Sequence, residues 1–185
     1  MEQKSRFLRK IGEQPQALRR VVKYYRAKGV GVLERAASLC RCKDGGRIVF
    51  IGMGASLYAA TLVYSLLADS GAGLLILIEA GELLDHCLNG IVREDVVVAI
   101  SQSGESFQTL EIAQKLRGHR LLAITNRPGS PLAQRTSLSL PILAGAEESI
   151  SSKSYTNTLA VLLLLANEDR WERDECTDRA LVALW

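Results

Sequence analysis

The stretch Asp95 to Ser106, DVVVAISQSGES, constrains the fold more than any other part of the chain. Val96 to Ile100 is a continuous apolar run with no polar alternation. A strand buried on both faces, as in a parallel sheet, has this character, whereas a half-exposed strand alternates. The run switches at once to Ser101, Gln102, Ser103, Gly104, Glu105 and Ser106, and Leu110, Ile112, Ala113 and Leu116 then recur at helical spacing. Three hydroxyls, an amide and a glycine therefore lie between the end of a buried strand and the start of a helix. The free N–H groups and the positive dipole end of such a helix make an anion site. With hydroxyls beside them they suit a phosphorylated polyol. An ordinary serine-rich helix cap fits the same residues.

Four more segments read as strands: Arg47–Ile51, Leu74–Ile78, Arg120–Thr125 and Leu138–Leu143. Helical spacing predicts a short helix over 3–12, a break at Gln14-Pro15, and a new helix carrying Leu18, Val21, Val22 and Tyr25. A further helix runs from Val32 to Cys42, with Leu33, Ala36, Ala37 and Cys40 on one face. Glu82–Leu88 and Leu159–Ala166 also read as helices, the second strongly apolar. Five strands alternating with helices predict an α/β fold with a five-stranded, parallel, doubly wound sheet and right-handed crossovers. In the flavodoxin-like order 2-1-3-4-5, the first and third strands are neighbours at the switch point. Gly52-Met53-Gly54-Ala55-Ser56, after the first strand, then shares a crevice with Ser101–Ser106. Leu57 stands where a dinucleotide glycine pattern needs its third glycine, so a nucleotide cofactor is disfavoured.

Composition narrows the function classes. Aromatic residues make up 5% of the chain, too few for a base-stacking surface. Residues 1–47 hold 13 Lys and Arg against 4 Asp and Glu, but these charges are interleaved with apolar residues at helical spacing. They read as a solvated helix face, or a surface that meets acidic residues elsewhere, and no nucleic-acid partner is expected. Cys40 and Cys42 are the only close cysteines, and His86 and His119 are isolated, so no metal site is expected. No signal peptide or membrane span is evident, which predicts no membrane partner and a cytoplasmic protein.

The motifs resemble those of the sugar-isomerase (SIS) domain family. The pattern is closest to the first of two such domains in the isomerase half of glucosamine-6-phosphate synthase and related double-SIS isomerases and deaminases. SQSGE after an apolar strand carries the likeness, with Gly52–Ser56 where the family has G-x-G-[TS]-S and Ile11–Leu18 as I-x-E-Q-P-x-A-L. Ile150–Thr156 is similar to the family's V-A-[ST]-T-K-[ST]-[FY]-T string, one residue shorter before Lys153. The resemblance implies that Ser101, Gln102, Ser103 and Ser106 hold the phosphate of a sugar 6-phosphate. Gly54, Ala55 and Ser56 would line the sugar, and Ser151 and Ser152 would close the pocket. Ala55 replaces the more common Thr and removes one hydroxyl. It implies no cofactor.

The resemblance divides the chain into a helical segment (1–43), a phosphosugar-binding domain (44–167) and a C-terminal helix (168–185) cut off before a second SIS domain. In the double-SIS family the catalytic residues come from that second domain or a neighbouring subunit. Glu105, Glu147, Glu148 and Lys153 read as capping or solvated groups. The absence of a cysteine after Met1 argues against a glutaminase. The chain is thus expected to be part of an isomerase, aminotransferase or deaminase acting on hexose or hexosamine 6-phosphates. A complete one-domain isomerase and a sugar-responsive regulatory module are the alternatives. Apolar helix faces at both ends, Leu18 to Tyr25 and Trp171 to Trp185, predict a homodimer, or a chain that aggregates without a second domain.

Overall fold

A computed structural model describes residues 6–41, 45–69, 74–147 and 151–168. Two helices, α1 (Arg6–Tyr25) and α2 (Val30–Cys40), precede β1 (Arg47–Gly52), α3 (Ala55–Asp69) and β2 (Leu74–Glu79). A one-turn helix α4 (Ala80–Glu82) runs into a π-helical stretch, Leu83–Cys87, and a 3-10 turn, Leu88–Gly90. Then come β3 (Val96–Ile100), α5 (Phe107–Lys115), β4 (Arg120–Thr125), α6 (Pro131–Arg135), β5 (Leu138–Pro141) and α7 (Lys153–Ala166). All pairings between strands are parallel, as the alternation predicts, and the order β2-β1-β3-β4-β5 is the flavodoxin-like one.

Every residue of β3 is buried. The pleat sends Val96, Val98 and Ile100 into one core with Ile48, Phe50, Leu122 and Ile124. Val21 and Tyr25 of α1, Leu33 and Ala36 of α2, Ala60 of α3 and Val161 of α7 complete that layer. Val97 and Ala99 face the other core, with Val49, Ile51, Leu121 and Ala123, covered by Leu83, Ile112 and Leu132. The sheet is therefore wound on both sides. Leu33, Ala36, Ala37 and Cys40 form the buried face of α2, as their spacing predicts.

Several elements differ from expectation: β5 ends at Pro141 rather than Leu143, and the helix expected over Glu82–Leu88 is a π-helical and 3-10 stretch. Helix α1 does not break at Gln14-Pro15 but runs through Pro15. An internal proline removes one backbone hydrogen bond and costs about 3 kcal/mol. Helix α7 offsets this by holding α1 on both sides of the proline: Lys153 Nζ donates to Glu13 Oε2 at 2.6 Å, and Asn157 Nδ2 donates to Ala17 O at 3.1 Å. Helix α7 itself starts at Lys153, six residues before Leu159, for a reason that belongs to the site. Helix α6 was not expected. Ser130 caps it by accepting from Ala133 N at 3.3 Å, with Pro131 in the first turn.

The apolar face of α1 is covered within the chain. Val21 and Tyr25 are fully buried, Leu18 and Val22 pack beside them, and Tyr25 Oη donates to Pro141 O at 3.0 Å. This face is not an exposed patch awaiting a partner. Trp171, Leu181, Leu184 and Trp185, and the rest of the expected C-terminal helix beyond residue 168, lie outside the described residues.

The N-terminal edge of the sheet is fixed by one ion pair. Asp95 Oδ1 accepts from Arg47 N at 2.9 Å and Nε at 3.0 Å, and Oδ2 from Arg47 Nη2 at 2.5 Å and Val92 N at 2.9 Å. Burial opposes ionisation of Asp95, but these hydrogen bonds prevail and hold its pKa below the ordinary value. Asp95→Ala leaves the Arg47 guanidinium and two backbone N–H groups short of an acceptor. Urea denaturation is expected to show a loss of about 2–3 kcal/mol. A change below about 0.5 kcal/mol, the range of ordinary surface substitutions, contradicts this account.

Candidate functional site

Parallel strands that end together leave their following loops together. Gly52 of β1 is in register with Ile100 of β3, so the loops after the two strands start side by side. The approach is close: a Cβ on Gly52 would stand 3.1 Å from Ile100 O and 3.2 Å from Ser56 Cβ. This brings Gly54, Ala55 and Ser56, at the start of α3, beside Ser101–Ser106, as the strand order predicts.

The serine loop is built around Gly104. Its φ of 66° is left-handed, and a Cβ there would overlap Ser130 Oγ and stand 3.1 Å from Thr125 Oγ1. Glycine satisfies both demands. Gly104 N donates to Ser101 Oγ at 3.1 Å, and Gly104 O accepts from Leu132 N at 3.1 Å. Ser101 is buried, and its Oγ shares a 3.1 Å hydrogen bond with Ser106 Oγ. Ser103 Oγ accepts from Glu105 N at 3.1 Å. Ser106 is the N-cap residue of α5, but its side chain caps none of that helix's N–H groups. The first-turn donors of α5 are therefore not taken up by the cap side chain. Ser101 braces the loop from within, while Gln102, Ser103 and Ser106 are partly exposed.

A cavity of about 580 Å³ adjoins this loop on the β4–β5 side. Gln102, Asn126, Arg127, Leu143, Glu147 and Arg20 line it, with Gly145 and Ala146. Of the nominated residues, Gln102 lines this cavity; Gly54 precedes α3, and Ala55 and Ser56 open it. Asn126 braces the far wall: its Nδ2 donates to Gly145 O at 2.7 Å and its Oδ1 accepts from Ala144 N at 2.8 Å. Leu143 takes φ 51°, a conformation that costs a branched residue about 1–2 kcal/mol. Arg20 Nε donates to its carbonyl at 2.9 Å. Arg20 and Asn126 are functional candidates that spacing alone missed. Arg20 was one charge among many on a helix, and Asn126 one polar residue in a turn.

The third polar stretch is organised by Glu147. Its Oε1 accepts from Ser152 N, Ser152 Oγ and Lys153 N, each at 2.8 Å, and its Oε2 from Ser154 N at 2.9 Å. The carboxylate thus caps the first turn of α7 from a loop position, which explains the early start of that helix. Ser152 is buried with its hydroxyl on Glu147, and Ser151 Oγ lies 2.6 Å from Ser154 Oγ. Glu147 and Lys153 hold structural positions, and Glu105 pairs with Arg127 Nη1 at 3.0 Å. Burial raises the Glu147 pKa, but the hydrogen bonds from Ser154 and Ser152 outweigh it and bring it down to about 2.

Comparison with known proteins agrees with this geometry. A family model described as the SIS domain matches residues 41–168. The chain belongs to the SIS-domain family. Glutamine–fructose-6-phosphate aminotransferase (isomerizing) from Bacillus thuringiensis subsp. konkukian is 30% identical over 175 residues, 92% of this chain and 29% of that protein. The chain therefore spans under a third of the length of that relative. The C-terminal domain of glucosamine-fructose-6-phosphate aminotransferase from Francisella tularensis superposes with a TM-score of 0.79 at 24% identity, over 98% of this chain and 53% of that one. A protein of Escherichia coli CFT073, solved as a complex, superposes with a TM-score of 0.72 at 25% identity, over 90% of this chain and 92% of that one. Among the described residues of this SIS domain, no group of three acidic, His or Cys side chains could hold a metal ion, and no helix is long and apolar enough to cross a membrane.

Glu147→Gln keeps the shape but weakens the acceptor at four donors. A loss of about 1–2 kcal/mol is expected for this partly exposed group. Because its folded pKa lies below the ordinary 4.5, the stabilisation is full above about pH 4.5 and fades as pH falls towards 2. The wild-type and Glu147→Gln stability curves should therefore converge on acidification. Curves that stay parallel from pH 7 to about pH 2 contradict the capping role.

Proposed function

We propose that this SIS domain binds a hexose or hexosamine 6-phosphate. The phosphate would rest on Gln102, Ser103 and Ser106 and on the N–H groups that open α5, with Ser101 bracing the loop. Gly54, Ala55 and Ser56 would line the sugar, and Ser151 would close over it, with Ser152 holding Glu147 behind it. The observation that carries this reading is the serine loop around Gly104, set at the carboxyl end of β3 beside the β1 loop. Such a loop offers several short donors and a helix dipole to one anion, the chemistry that a phosphate monoester needs. Residues 44–167 would form the binding unit, with 1–43 as its helical partner and 168–185 leading onward. A cytoplasmic location without membrane or nucleic-acid partners belongs to the same proposal.

For the reaction, we favour a part in an isomerase, aminotransferase or deaminase. Moving a proton between adjacent carbons requires a base. Glu147 and Lys153 are occupied in capping and pairing, and Glu105 pairs at the surface. The base would then come from a second domain or a second copy. An Escherichia coli chain of nearly equal length shares this fold, which leaves a second reading open, a complete one-domain isomerase. Conversion of a sugar 6-phosphate by this chain alone separates the two.

Calorimetric titration with fructose 6-phosphate and with fructose tests the pocket. The phosphorylated sugar should bind far more tightly. Ser103→Ala should weaken binding about tenfold to a hundredfold, the value of a hydrogen bond to a charged group. Ser139→Ala serves as the control, because Ser139 lies in mid-strand on β5 with its Oγ buried and without a hydrogen-bond partner. Equal affinity for the two sugars, or no effect of Ser103→Ala, overturns the phosphate assignment.

We also propose that the chain forms a homodimer, through α3 rather than α1. Tyr58, Leu62 and Leu66 are exposed at successive four-residue steps along α3, and so share one face. A contiguous apolar stripe of this kind commonly marks an interface. Light scattering at micromolar concentration should report a dimer, and Leu62→Glu a folded monomer. A wild-type chain that is already monomeric removes the proposal.

A further inference from the structure

Helix α1 and the loop after β5 enclose a second cavity, of about 340 Å³, apart from the serine loop. Arg9, Lys10, Glu13, Gln16, Arg20 and Lys153 line it, with Ala144, Gly145 and Ala146. Its walls thus carry four cationic side chains and one carboxylate. That carboxylate is already engaged: Lys153 Nζ lies 2.6 Å from Glu13 Oε2, and Arg9 Nε lies 3.9 Å from Oε1. The hydrogen bond and charge of Lys153 hold the Glu13 carboxyl below its ordinary pKa, so it is ionised at neutral pH.

The site is built rather than incidental. Lys10 and Lys153 are 8% and 4% exposed, and the Lys153 ammonium reaches the wall from a largely buried stem. Lys153 Nζ is fixed a second time by Ala146 O at 3.0 Å. Arg20 is oriented by its bond to Leu143 O, across the strained backbone of that residue. Cations gathered on one concave wall repel one another and focus a positive field into the cavity. A multiply charged anion relieves that repulsion, and guanidinium groups match its oxygens in bidentate fashion. The two cavities share Arg20, Gly145 and Ala146, so the basic cavity continues from the one that Gln102 lines.

We propose that this basic cavity is a second anion subsite, which takes a phosphoryl or carboxylate group distinct from the phosphate on the serine loop. That distinction rests on the proposed function, but the cavity and its charge do not. Its ligand is a small polyanion, either a free effector or the far end of a substrate with two anionic groups.

Inorganic pyrophosphate serves as the probe, by calorimetry on the full chain at low and high salt. Binding should be salt-sensitive and should fall tenfold or more in Arg9→Leu/Arg20→Leu. The single change Arg9→Leu alters an exposed position and should fall in the same direction, which keeps the test sharp if the double variant unfolds. Ser103→Ala should leave pyrophosphate affinity within about twofold while it weakens fructose 6-phosphate, so the two sites fail separately. If both ligands bind at once, the subsite serves a separate effector. If they exclude one another, it holds the far end of a single ligand. Pyrophosphate that does not bind below about 10 mM overturns the proposal. So does binding lost in Ser103→Ala but kept in both arginine variants.

Discussion

Covering both faces of β3 is the constraint on which the rest of this molecule depends. Its five residues leave no face for solvent, so helices must pack on each side. Strand-to-helix turns then gather at one edge of the sheet. The close approach of Gly52 to Ile100 and of Gly104 to Ser130 follows from that gathering. The same packing that excludes water from the core concentrates backbone donors and small hydroxyls at the carboxyl edge, where a ligand can use them.

The opposite edge shows the contrast. There Asp95 accepts from Arg47 and Val92 N, Arg47 also donates to Gly90 O, and Arg120 donates to Glu94 O and Leu39 O. Such groups leave little for a ligand to gain. At the carboxyl edge the partnering is incomplete by design of the turn: Ser106 occupies the cap position of α5 without closing it. Stability sits at one edge and receptivity at the other, as stability and binding commonly divide in α/β folds.

Much of this was legible in the sequence, and the reasons are specific. Val96–Ile100 and its neighbours announce buried strands because a two-sided environment tolerates no polar residue. The parallel, doubly wound sheet follows from alternation, and the SQSGE loop falls where the flavodoxin-like order places it. What stayed hidden depends on contacts distant in sequence. Pro15 reads as a break until Lys153 and Asn157, 140 residues along, hold the helix across it. The start of α7 is set by Glu147, several residues ahead of the helix, rather than by a cap beside it. Arg20 looked like one charge on a solvated helix, yet it reaches Leu143 O, 123 residues away. Local spacing carries no information about such partners.

The tie between α1 and α7 also bears on what counts as the folding unit. The family match begins at residue 41, whereas α1 ends at Tyr25. A fragment cut at the family boundary would strip Val21 and Tyr25 from the core and bare the apolar side of α7. Asn157 would lose Ala17 O, and Lys153 its carboxylate. The first helices of this chain are thus less an appendage to the domain than its outer wall, and the boundary drawn by sequence likeness falls inside the physical one.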